Sequence, residues 1–195
     1  MSIKIPSERP KITREKAEEY FALHGGLNFK KHPLYVLGIR GYYTKSLGDP
    51  SKNDYGIYDD CICLITENGF TAFNANTDPS KLQRGSSVKK GTAVLQPGLW
   101  TVYGLDLHKG SYPALCQRLG DVLVWRYKAD GTRYSESGMF GINIHCGGKS
   151  STNSEGCQTI YPMQYGEWLF KVTIELAKYG WNGVTVPYLL TEQNT

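Results

Sequence analysis

The chain has 195 residues, 40% of them apolar and 21% charged, which is enough for one domain with a real core and too few for two ordinary ones. That balance excludes disordered and collagen-like classes, and a net charge of +4 without a Lys/Arg stripe interleaved with stacking aromatics excludes a nucleic-acid footprint. No run of about 18 apolar residues offers a membrane span. Residues 1–20 lack the apolar core of a secretory signal, so synthesis in the cytoplasm without a signal peptide is expected.

Residues 1–29 read as an N-terminal arm. Thr13 can cap a short helix with Glu15 in its first turn and Ala17, Tyr20 and Phe21 on one face, ended by Gly25-Gly26; docking on the main domain is the expected outcome. From 30 to 195 the pattern is mainly β, with tight turns fed by 22 glycines and strands by 14 tyrosines and many β-branched residues. Leu34–Ile39 and Asp60–Thr66 read as buried strands, the second with Cys61 and Cys63 on one face as packing residues. Glu67-Asn68-Gly69-Phe70 predicts a hairpin whose Asn-Gly pair makes a type I′ turn, with Phe70–Phe73 returning antiparallel.

Thr92–Leu95 and Trp100–Leu105 are strands split by Pro97-Gly98, and Asp121–Tyr127 turns at Asp130-Gly131 into Thr132–Tyr134. Gly138–His145 brings His145 to a sheet edge. Pro162 opens a helix with Trp168, Leu169, Val172 and Leu176 at helical spacing as far as Gly180. Val184, Val186, Tyr188 and Leu190 alternate as a last strand, which Pro187 places at an edge.

The chemistry concentrates in Gly141–Ile160, GINIHCGGKSSTNSEGCQTI, where one histidine and one cysteine flank a polar loop. Ile142 and Ile144 alternate with Asn143 and His145, so His145 falls on the polar face of a strand. Cys157 follows Gly156, where the backbone can turn sharply or admit a close neighbour. A free thiol is only a few per cent thiolate at neutral pH, so an adjacent imidazole would make Cys157 a better nucleophile. The five cysteines are odd in number and irregular in spacing, which argues against a disulfide scaffold. His145, Cys146 and Cys157 are potential zinc ligands, but His145 and Cys146 are adjacent and diverge on a strand, so neither metal nor cofactor is expected.

His145-Cys146-Gly147, then a loop, then Ser154-Glu155-Gly156-Cys157 resembles the catalytic signature of the L,D-transpeptidase (YkuD-like) family, and Leu95–Val102 is similar to the strand entry before that family's substrate flap. The resemblance covers about 91–160. It departs at Glu155 and Thr159, where family members commonly carry a histidine and a basic or amide residue, and in a shorter loop from His145 to Ser154.

The resemblance implies a single-domain β-sandwich or barrel-like catalytic domain over 30–195 that acts on peptidoglycan stem peptides. Cys157 would be the acylated nucleophile and His145 the base, oriented by the Cys146 carbonyl or by Asn143. Backbone N–H groups at Gly156 and Cys157 would hold the oxyanion, with Ser154 on the loop or the substrate amide. Asn143, Gly147, Tyr103 and His108 are the candidate substrate contacts, the last two on a flap over Leu99–Tyr112, and Arg118, Arg126 and Arg133 are candidates for a substrate carboxylate. A chain without an export signal suits a wall-degrading lysin such as a phage endolysin, acting in the cell wall or periplasm after release, so hydrolysis is favoured narrowly over transpeptidation. A non-enzymatic wall-binding module on the same fold is the competing expectation, and Glu155 and Thr159 are the features that favour it.

Overall fold

In the computed structural model, residues 3–51, 54–86, 89–180 and 183–193 are described. The fold is mainly β, with two helices. Strands β1 (Leu34–Arg40), β2 (Asp60–Thr66), β3 (Gly69–Asn76), β5 (Gly98–His108), β6 (Tyr112–Gln117), β9 (Ile144–Cys146), β10 (Gln158–Ile160) and β11 (Val186–Glu192) close into a barrel in the order β1-β11-β5-β6-β9-β10-β3-β2. A separate sheet pairs β4 (Val94–Leu95), β7 (Val122–Tyr127) and β8 (Arg133–Gly138) in the order β4-β7-β8. The helices are α1 (Arg14–Ala22) and α2 (Pro162–Ala177).

Strands β1 and β2 run as continuous apolar segments because both of their faces are covered. Leu34, Val36, Ile62 and Leu64 face the interior, where the Tyr165, Trp168, Val172 and Leu176 stripe of α2 joins the main core. Tyr35, Leu37, Cys61, Cys63 and Ile65 face outward and are capped by Ala17 and Phe21 of α1. Thr13 caps α1, its side chain accepting the Lys16 N–H at 3.2 Å. All five cysteines are free thiols.

Four expectations are corrected. The β2–β3 hairpin forms with Thr66 opposite Gly69, but neither Asn68 nor Gly69 takes a positive φ, so its turn is not type I′. Strand β11 is interior, parallel to β1 and antiparallel to β5; the missing N–H of Pro187 is absorbed by a register irregularity between Val186 and Tyr188. The strand expected over Gly138–His145 breaks after Gly138 and resumes as the short β9. Gln117, fully buried at the end of β6, explains the break: its Oε1 accepts the Phe140 and Ile142 N–H groups and its Nε2 donates to Gly138 O, taking ladder partners away. Finally, only the first part of Leu99–Tyr112 is barrel wall, paired with β11 as far as Tyr103; from Asp106–Ala114 to His108–Tyr112 the β5–β6 hairpin pairs only with itself, and its tip carries His108 and Lys109 to the cleft.

The barrel positions the candidate site through β6, β9 and β10. Leu115 pairs with Ile144, and β9 runs parallel to β10 with His145 beside Thr159. Gly38 of β1 makes room for Tyr188, because a Cβ there would overlap its hydroxyl. That hydroxyl donates to Gln158 Oε1 at 2.9 Å, and Gln158 Nε2 donates to Gly156 O at 3.3 Å, so the core grips the turn that carries Cys157.

Candidate active site

Cys157 and His145 line one open cleft of about 960 Å³, together with His108 from the end of β5. One ring nitrogen each of His108 and His145 and the Cys157 Sγ lie within 4.8 Å of one another. The two imidazoles stack with centroids 4.0 Å apart. His145 is 4% exposed, with Nδ1 at 2.8 Å from Cys146 O, the carbonyl that the resemblance names as its orienter, and at 3.1 Å from the Tyr112 hydroxyl. A carbonyl only accepts, so Nδ1 carries the proton and Nε2 the lone pair.

Ser154 is a staple of the turn. Its Oγ accepts the Gly156 N–H at 3.1 Å and donates to the Cys157 carbonyl at 2.6 Å, while its backbone exchanges bonds with Ser80. Gly156 has φ +142°, and a Cβ there would overlap the Ala93 carbonyl oxygen, so the close neighbour this glycine admits is the chain before β4. Its N–H is spent on Ser154 and is not open to an oxyanion.

Asn143 uses all four of its polar groups. Its N–H faces Cys157 Sγ at 3.4 Å, its carbonyl accepts the Gln158 N–H at 2.8 Å, its Oδ1 accepts the Gln117 N–H at 3.0 Å, and its Nδ2 meets His108 Nδ1 at 2.9 Å. It therefore orients His108 and leaves His145 to Cys146. Asn143 also lines the cleft, and with a partner on each of its polar groups it positions other residues.

Tyr103 is fully buried with its ring against Tyr188, which removes it from any substrate surface. Gly147 is also buried; its N–H donates to Ile160 O at 2.9 Å, and a Cβ would overlap the Tyr58 hydroxyl. His108 lines the cleft, as do Ser154, Gly156 and Glu155, whereas Thr159 is fully buried behind His145. Arg118 and Arg126 line the cleft but are engaged, Arg118 with Asp106 at 2.6 Å and Arg126 with Glu136 at 2.8 Å. Arg133 lies in a different cavity, over the Trp125 ring. The sequence offered Tyr112 only as a peptide-gripping loop residue and left Gln117 without a role at this site, because what they do here depends on the pairing of β6 with β9.

Burial lowers the pKa of His145 to about 4, with the neighbouring His108 adding to the effect. Burial also pushes the Cys157 thiol up, opposed by the Asn143 N–H. Burial thus favours a neutral imidazole and a neutral thiol at rest, and the Cys157 S–H is directed to Gly141 O at 3.4 Å. Attack by Sγ would therefore require deprotonation in the same step; long nucleophile–base contacts of this kind are common in sites without substrate.

Among the described residues, His108, His145 and Cys157 are the set whose donor atoms lie close enough to share a metal ion. The tautomers oppose it. Asn143 Oδ1 is fixed as acceptor by the Gln117 N–H, so Nδ2 must donate to His108 Nδ1 and His108 Nε2 carries the proton. An ion at Nε2 would force a proton onto Nδ1 against the amide N–H.

Comparison of the chain with family models, with curated proteins and with solved structures found no match.

Proposed function

We propose that the protein is a cysteine-dependent acyl-transfer enzyme that acts on peptidoglycan stem peptides on an L,D-transpeptidase-like fold, and that it hydrolyses them in the manner of a lysin. The observation that carries the chemistry is the Cys157 sulfur within 4.8 Å of an imidazole whose Nδ1 proton is held by the Cys146 carbonyl, on the wall of a cleft large enough for a peptide. His145 Nε2 takes the thiol proton as Sγ adds to a peptide carbonyl. The imidazolium then returns that proton to the departing amine as the acyl-enzyme forms. Water takes the amine's place, and His145 activates it to release the acid.

The substrate class rests on the His145-Cys146-Gly147 and Ser154–Cys157 resemblance, supported by the cleft's charge. Lys81 and Lys109 line it against Glu155, with Arg118 and Arg126 already paired to Asp106 and Glu136, a balance that favours a ligand bearing carboxylates, as a stem peptide does. The test is incubation with purified peptidoglycan and mass spectrometry of the released products. Hydrolysis gives shortened stems with a new carboxylate, and exchange gives stems joined to an added amine; an unaltered, bound wall would refute both.

The Cys157 thiol, raised in pKa by burial and directed to Gly141 O, favours a second reading, a wall-binding module that keeps the fold without turnover. It predicts co-sedimentation with the wall that survives Cys157→Ala and no product from either form.

A further inference from the structure

Attack by Sγ on a planar carbonyl pushes the π electron pair onto oxygen, and the resulting anion needs donors about 2.7–3.1 Å away. The Cys157 turn is poor in them. The Gly156 N–H is donated to Ser154 Oγ and the Gln158 N–H to Asn143 O. Among the described residues no acceptor takes the Cys157 N–H, so the turn offers one backbone donor.

The second donor comes from across the cleft. Gln117 N–H fixes the Asn143 amide, and the amide fixes His108 with its proton on Nε2, for which the described residues provide no acceptor. His108 faces the cleft beside Cys157 and stacks on His145, which is held in the opposite tautomer by Cys146 O. The two rings differ in role because each is pinned by a partner that does not titrate: one presents a lone pair, the other an N–H.

We propose that His108 is a catalytic residue of this site, donating Nε2–H, together with the Cys157 N–H, to the oxyanion formed when Cys157 Sγ adds to a peptide carbonyl. The proposal rests on the acyl-transfer reading above. In the step, the Cys157 S–H proton goes to His145 Nε2, the S–C bond forms, and the carbonyl pair moves to oxygen. The pair then returns, the C–N bond breaks, and the amine leaves with the proton from His145. His108 remains a neutral donor throughout. Asn143 and Gln117 are positioning residues for it.

The experiment compares two reactions of Cys157, only one of which builds an oxyanion. Acylation by a p-nitrophenyl ester passes through a tetrahedral anion, whereas alkylation by iodoacetamide does not. His108→Ala is expected to slow acylation by about 10²- to 10³-fold while alkylation changes by less than about threefold, with His108→Gln, which keeps an N–H at similar reach, recovering part of the loss. Equal slowing of both reactions, or acylation unchanged, would overturn the role of His108. Wild-type protein that acylates no faster than Cys157→Ala would overturn the acyl-transfer reading and this proposal with it. Long-range ¹H–¹⁵N spectra of histidine-labelled wild-type protein should show His108 as Nε2–H and His145 as Nδ1–H; His108 as Nδ1–H would refute the proposal without any variant.

Discussion

Ser154→Ala separates a residue that holds the nucleophile's turn from one that touches substrate. The side chain is 4% exposed, and its oxygen serves two backbone groups, the Gly156 N–H at 3.1 Å and the Cys157 carbonyl at 2.6 Å. Removing it deletes two hydrogen bonds, each worth about 1 kcal/mol net, and strands the buried Gly156 N–H at a further cost of about 1–3 kcal/mol. A loss of about 3–5 kcal/mol follows. In a chain of this length each kcal/mol moves the melting temperature by about 2–4 °C, so a drop of roughly 6–20 °C is expected by calorimetry. Ser154→Thr, which restores the hydroxyl, should regain most of it. A melting point within 1–2 °C of wild type combined with a large rise in KM would show that Ser154 binds substrate, and would refute the staple.

His145→Gln should lower the acylation rate by about 10²- to 10⁴-fold and remove the acid limb of the pH–rate profile, which the buried imidazole places at about pH 4; a wild-type limb at pH 6–7 would contradict that assignment. Because burial raises the Cys157 pKa, the thiolate is scarcer at any given pH, so iodoacetamide labelling of Cys157 should be slow at pH 7 and climb through the alkaline range. A fast plateau below pH 7, read by peptide mapping, would reveal a pre-formed thiolate. Away from the site, burial and the neighbouring Asp60 push the Asp59 carboxyl well above the usual carboxylate range, and its Oδ1 has no partner. The folded chain then keeps a proton that the unfolded chain loses above about pH 4, so stability falls as pH rises above about 4, by up to about 1.4 kcal/mol per pH unit. Asp59→Asn should flatten that slope in urea titrations at pH 5 and 8, and an unchanged slope would sink the assignment.

The sequence revealed what is local and left out what depends on closure of the barrel. The α1 cap at Thr13, the β2–β3 pairing and the Trp168–Val172–Leu176 stripe are each written within a few residues, so periodicity and cap chemistry disclose them. The place of β11 is not local: Pro187 reads as an edge signal, yet barrel closure puts the strand between β1 and β5 and a bulge absorbs the missing donor. The resemblance puts Tyr103 on a flap, but alternation along β5 turns it inward against Tyr188. At the site, His145 and Cys157 could be paired from the motif. The Gln117–Asn143–His108 chain could not, since it joins residues from β6, the 139–143 segment and β5.

The central claim is that Cys157 carries the acyl group, and trapping that intermediate tests it most directly. Wild-type protein mixed with a purified stem peptide, quenched in acid and digested, should give a Cys157 peptide heavier by the acyl fragment, with no such mass in Cys157→Ala and accumulation when deacylation is slowed at low pH. Product formation that persists in Cys157→Ala, or turnover by the wild type with Cys157 never modified, would contradict the account.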